Sequence, residues 1–150
     1  MFLLTRIAAP DATFITVDLP GGPFGEGYPE WMSPMMRSFA KPEQIIRLLR
    51  VDSHSPDTLA DIQRILDGRE VDLLFIDGDH RYEGVKRDFE MYSGLVRRGC
   101  PITFHDIVPG DPEIVGGVPR FWEEVKGEYE SAEFVKDWNQ GGFGIGLIRR

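Results

Sequence analysis

One segment, Val71-Asp-Leu-Leu-Phe-Ile76, constrains this chain more than any other. A single aspartate interrupts an otherwise apolar run, so a strand built from it has almost no polar face to offer water. It reads as a central strand covered on both sides. Asp77-Gly-Asp-His80 follows at once. A helical pattern comes next, with Tyr82, Val85, Phe89, Tyr92 and Val96 at spacings of three and four, closed by Gly99. Strand, polar corner and helix together form the repeating unit of a parallel α/β sheet.

The unit recurs on both sides. Upstream, Thr13-Phe-Ile-Thr-Val-Asp18 and the run from Gln44 to Val51 read as strands, the second ending in Asp52-Ser53. Ser55 then reads as an N-cap with Pro56 at the first helical position. Leu59, Ile62, Ile65 and Leu66 share a face of that helix, and Gly68 ends it. Downstream, Pro101-Ile-Thr-Phe104 is a short strand ending at His105-Asp106, and Phe121, Trp122, Val125 and Tyr129 mark a further helix. Two last strands, around Glu133 to Lys136 and Phe143 to Ile148, are joined by Asn139-Gln-Gly-Gly142. So short a link cannot make a parallel crossover, so these two strands are expected to be antiparallel neighbours. The long irregular stretch from Leu19 to Pro34 sets Phe24, Tyr28 and Trp31 among glycines and prolines. Its aromatics suit either a substrate lid or anchors to the core.

At 150 residues the chain fits one domain. Its net charge of -8 argues against a nucleic-acid partner, which needs clustered Lys and Arg. Cys100 is the only cysteine, so an internal disulfide is excluded and a reducing, cytoplasmic setting is expected. The apolar start, Met1 to Ile7, is too short for a membrane span and lacks a secretory pattern.

In open α/β sheets ligands bind beyond the carboxyl ends of the strands. Four strands here end in polar residues on that edge: Asp18, Asp52-Ser53, Asp77-Gly-Asp-His80 and His105-Asp106. A carboxylate at Asp18 can accept both hydroxyls of a ribose, or serve as a turn residue. Asp52 and Ser53 suit an adenine amino group, or the start of a helix. Asp77, Asp79 and His80 can bind a divalent cation or supply a general base, with His105 and Asp106 completing either site. The plainer reading makes His80 and His105 hydrogen-bonded residues at helix starts.

Three strings carry a family resemblance: Val17-Asp-Leu-Pro-Gly-Gly-Pro-Phe-Gly25, Leu74-Phe-Ile-Asp-Gly-Asp-His-Arg-Tyr-Glu-Gly-Val85 and Phe104-His-Asp-Ile107. With Gly117-Val-Pro-Arg-Phe-Trp122, they resemble the methyltransferase-24-like, or cephalosporin-hydroxylase-like, O-methyltransferases of class I. The resemblance implies a Rossmann-like sheet, mostly parallel, with a C-terminal antiparallel hairpin. It implies S-adenosylmethionine as cofactor, with Asp18 at the ribose, Asp52 and Ser53 near the adenine, and Asp77 beside the methionine end. It further implies Mg2+ held by Asp77 and Asp106, although His105 stands where some relatives carry a second carboxylate or amide. His80 or His105 would take the proton of a small-molecule hydroxyl, on a sugar or natural product.

The family's first strand and Gly-rich loop have no counterpart in the sequence, and Met1 to Ala8 reads as the tail of the helix that follows that loop. The absent strand would lie between the Thr13 and Val71 strands. The expectation is therefore a partial domain that binds the cofactor poorly and is marginally stable or self-associating. A catalytically dead remnant and a metal-dependent hydrolase using Asp77, Asp79, His80, His105 and Asp106 are the competing readings.

Overall fold

The computed structural model describes residues 1–20 and 27–150, which form two compact units, Met1–Thr58 and Leu59–Arg150. Phe24 and the Gly21–Gly25 part of the first resembling string lie outside the described residues. Among the described residues, no helix is long and apolar enough to cross a membrane.

In the first unit, helix α1 (Phe2–Ile7) precedes strand β1 (Thr13–Val17). A 3-10 turn (Glu30–Met32) leads into α2 (Ser33–Arg37), followed by β2 (Ile45–Leu49) and the start of α3 (Pro56–Leu66). β1 and β2 pair in parallel, with Thr13 opposite Ile45 and Val17 opposite Leu49. One buried amide ties the unit together. Gln44 donates from Nε2 to the carbonyls of Thr5 and Ala9, while its Oε1 accepts from the Lys41 N–H. Every polar atom of that side chain is used, so its burial is affordable. The expected cap on α3 is present, Ser55 Oγ accepting from the Asp57 N–H at 3.3 Å. Gly68 follows in the left-handed conformation, φ 77°.

The long loop ends in helix α2, which the sequence reading missed. Its aromatics divide: the Arg50 guanidinium lies 5.3 Å over the Tyr28 ring, whereas Trp31 is 74% exposed.

The second unit contains β3 (Leu74–Ile76), α4 (Tyr82–Tyr92), β4 (Pro101–His105), α5 (Pro112–Val115), α6 (Val118–Val125), β5 (Glu130–Phe134) and β6 (Ile145–Arg149). Its sheet runs β3-β4-β6-β5. β3 and β4 are parallel, and β6 lies antiparallel to both β4 and β5. The antiparallel hairpin expected from the short final connection is therefore present. Among the described residues β1 and β3 each have one strand neighbour.

Several boundaries differ from the sequence reading. The Val71 run yields only a three-residue strand, and Val71 is bridged apart from it to Val96: its N–H donates to Leu95 and its carbonyl accepts from Arg97. That bridge also ends α4 at Tyr92, since Val96 must be extended to make it. Nor is the strand covered on both faces: Ile76 is buried but Leu73 and Phe75 are exposed. The final strands sit at Glu130–Phe134 and Ile145–Arg149, and the second starts no earlier because Phe143 and Gly144 have positive φ, which no strand continues through.

The core of this unit is aromatic. Phe104 on β4 lies 5.8 Å from Trp122, 5.9 Å from Phe121 and 5.8 Å from Phe89, within the range of favourable ring contacts. The buried Trp122 donates from Nε1 to Glu133 Oε1 at 2.7 Å. Gly146 on β6 lets the sheet meet this indole: a Cβ there would lie 2.7 Å from Trp122 ring carbons. Gly146→Ala is accordingly expected to cost about 1–3 kcal/mol by overpacking, read as a lower urea midpoint with an unchanged slope.

Candidate active site

β3 and β4 end side by side, Ile76 opposite Phe104 in the parallel register. The next residues out are Asp77 on one strand and His105-Asp106 on the other. His105 Nδ1 lies 3.2 Å from both Asp77 Oδ1 and Asp106 Oδ2. His80 reaches the same oxygens from the loop before α4, its Nε2 3.7 Å from Asp77 and 3.6 Å from Asp106. Two carboxylates and two imidazoles thus converge on the strand-end edge of the second unit.

Asp106 and His80 are held from outside the cluster. Asp106 is only 5% exposed and takes φ 61°, left-handed for a residue with a Cβ. Its Oδ1 accepts the Phe143 N–H at 3.0 Å, which turns Oδ2 toward the imidazoles. His80 is clamped at both ends. Its ring Nδ1 lies 2.6 Å from the Ile114 carbonyl, and its own carbonyl accepts the Gly117 N–H at 2.7 Å. A carbonyl can only accept, so Nδ1 carries a proton and Nε2 faces the carboxylates. The close approach needs glycine: a Cβ on Gly116, at φ 55°, would lie 2.2 Å from the His80 oxygen.

His105 Nδ1 is buried with no aligned hydrogen bond, despite its two short distances to carboxylates. A buried polar atom in that condition is uncommon and points to a missing partner, such as an ion or ligand.

The imidazole of His80 is pushed up to about 9 from its ordinary 6.5, chiefly by the Asp77 carboxylate. Burial opposes the rise, while the Ile114 carbonyl and the Asp106 charge add to it. A raised folded-state value means the charged imidazole contributes stability that is complete below pH 6.5 and is lost as pH climbs through about 9. In urea titrations, the wild-type protein is expected to lose stability relative to Asp77→Asn across that window. A difference independent of pH would remove Asp77 as the cause.

The remaining candidates are placed differently. Asp79 turns to its own turn, accepting from the Arg81 backbone N–H and guanidinium, and packs where a Gly84 Cβ would stand. Among the described residues the group with donor atoms mutually within 4.8 Å is Asp77, His80 and Asp106. Asp18, Asp52 and Ser53 belong to the first unit. The Asp18 N–H continues the strand by donating to Leu49, and Asp52 Oδ1 accepts from the His54 N–H at 2.8 Å, forming the turn before α3. The sequence reading missed Ile114, Gly116, Gly117 and Phe143. For Phe143 a signal existed, since a bulky residue in a Gly-Gly-Phe-Gly run is unusual.

Residues 1–107 match a family described as a methyltransferase domain, and the chain belongs to that family. Its fold is the Rossmann-like class I methyltransferase fold. TomG, an O-methyltransferase from Streptomyces achromogenes involved in tomaymycin synthesis and solved with SAM, is similar at TM-score 0.60 and 19% identity, over 99% of this chain and 66% of that one. An O-methyltransferase from Bacillus cereus, solved with SAH, gives 0.53 and 18%, over 99% of this chain and 77% of that one. Uncharacterized protein R132 of Acanthamoeba polyphaga mimivirus is 34% identical over 67 residues, 43% of this chain and 30% of its own length. The chain thus spans less than a third of the curated relative it matches.

Proposed function

We propose that this protein transfers the methyl group of S-adenosylmethionine to a hydroxyl of a small molecule. The observation that carries the reading is the convergence of Asp77, His80, His105 and Asp106 on adjacent strand ends, in a chain of the methyltransferase-domain family. The O-methyltransferases with the same fold support it, as does an overall charge of -8 that disfavours nucleic acid as acceptor.

Asp18 would hold the ribose, Asp52 and Ser53 would approach the adenine, and Asp77 would lie near the methionine end. The acceptor oxygen's lone pair bonds to the methyl carbon as the carbon–sulfur bond breaks. That bonding pair returns to sulfur as a neutral thioether, and the hydroxyl proton passes to an imidazole. His80 already holds a proton at neutral pH, so His105 is assigned the base and His80 the cation that orients both carboxylates. Position and electrostatics supply most of the catalysis. Exchanging Asp18 for alanine is expected to weaken S-adenosylmethionine about ten- to hundred-fold in calorimetry, from one lost charged hydrogen bond. Unchanged affinity would sink the ribose assignment. Failure of the wild-type protein to bind the cofactor at all would favour the inactive remnant.

The donor set also fits a divalent cation, Mg2+ among them. Asp77, Asp106 and the Nε2 of a deprotonated His80 would hold it, and the orphaned Nδ1 of His105 lies beside them. When bound, such an ion would polarise the acceptor hydroxyl. Methyl transfer is then expected to fall after exhaustive EDTA treatment and return with added metal. Full activity after EDTA would leave the imidazoles to work alone.

A further inference from the structure

We infer that Phe143 is the stacking wall for a planar aromatic acceptor, one whose hydroxyl sits at the edge of its ring. The inference rests on the methyl-transfer reading above. Four consecutive residues before β6 have positive φ: Gly141 at 77°, Gly142 at 124°, Phe143 at 62° and Gly144 at 81°. Three are glycines, for which this region is open, but phenylalanine is disfavoured there. Folding gives little back, because Phe143 is 62% exposed.

The chain nevertheless holds this residue firmly. Its N–H donates to Asp106 Oδ1 and its carbonyl accepts from Val108, both at 3.0 Å. The segment is also pressed against its neighbours: a Cβ on Gly110 would lie 2.5 Å from the Gly141 backbone, and one on Gly144 would lie 2.9 Å from Val108. Strain kept where packing does not need it, beside reactive groups, is the pattern of a functional position.

The ring's neighbour is the site's imidazole. His105 meets Phe143 edge-on, with centroids 6.3 Å apart and planes at 75°. Phe75, 44% exposed, lies 6.4 Å from the same imidazole. An acceptor laid against Phe143 would meet one exposed apolar ring and find polar atoms at one place, where His105, Asp77 and Asp106 gather. A flat aromatic molecule with a hydroxyl on its edge satisfies that arrangement through ring stacking and one polar contact. A sugar carries hydroxyls around its whole rim, more than the polar atoms gathered at His105, Asp77 and Asp106 can pair.

The test titrates naphthalene-2,3-diol, methyl α-glucopyranoside and S-adenosylhomocysteine separately into the wild-type chain, Phe143→Gly and Phe143→Tyr, with thermal unfolding of each. The expected result is diol binding by wild type, about tenfold weaker in Phe143→Gly and restored in Phe143→Tyr. The glycine variant should unfold no earlier than wild type, since the strain is relieved. Equal diol affinity in wild type and Phe143→Gly, no diol binding by either, tighter binding of the glucoside, or a lowered unfolding temperature in Phe143→Gly would each overturn the inference. The methyl-transfer reading fails separately, if wild type binds the diol through Phe143 but shows no affinity for S-adenosylhomocysteine.

Discussion

The carboxylate of Asp106 links the segment before β6 to the imidazoles at the ends of β3 and β4. One oxygen receives the Phe143 amide and the other faces His80 and His105. For this, the residue after β4 must leave the strand in a left-handed conformation, φ 61°, and lie almost wholly buried. A carboxylate buried so deeply is tolerable only with partners for its charge and lone pairs. The site meets that demand: Phe143, two residues before the strand already paired with β4, offers its amide, and two imidazoles stay within ion-pair range.

Glycines do for His80 what Asp106 does for its own surroundings. The segment from Asp111 to Gly117 passes over the His80 backbone at a distance that a Cβ would forbid. There, one carbonyl sets the imidazole's protonated nitrogen and one amide fixes its backbone. A ring held at both ends loses less freedom when it acts, which is how a folded scaffold supplies orientation ahead of chemistry. The same economy of space operates at Gly146, where the absence of a side chain lets β6 lie against the Trp122 indole.

Much of this architecture is legible in local sequence. Period-two and period-3.6 patterns located the strands and the main helices, Ser55-Pro56 marked the start of α3, and the short link before β6 required an antiparallel pair. Where the reading erred, a non-local partner had intervened. Val96 has the spacing of a helix residue, yet its bridge to Val71 takes it out of α4. Phe143 has the composition of a strand residue, yet its amide is claimed by Asp106. Asp79 sits in the densest acidic cluster, but its oxygens bond the Arg81 backbone and guanidinium beside it.

The sequence by itself determined the α/β order of elements, the polar residues that end each strand, and the family to which the chain belongs. These are properties of short windows, set by side-chain periodicity, turn chemistry and motif spacing. Only the tertiary structure decided which of those polar residues meet. His80 finds the Ile114 carbonyl 34 residues away, and Asp106 finds the Phe143 amide 37 residues away. No local propensity encodes either contact. The first exists because glycines at 116 and 117 let distant backbone come close to His80 and Tyr82, and the second because the antiparallel register of β4 and β6 sets His105 opposite Ile145.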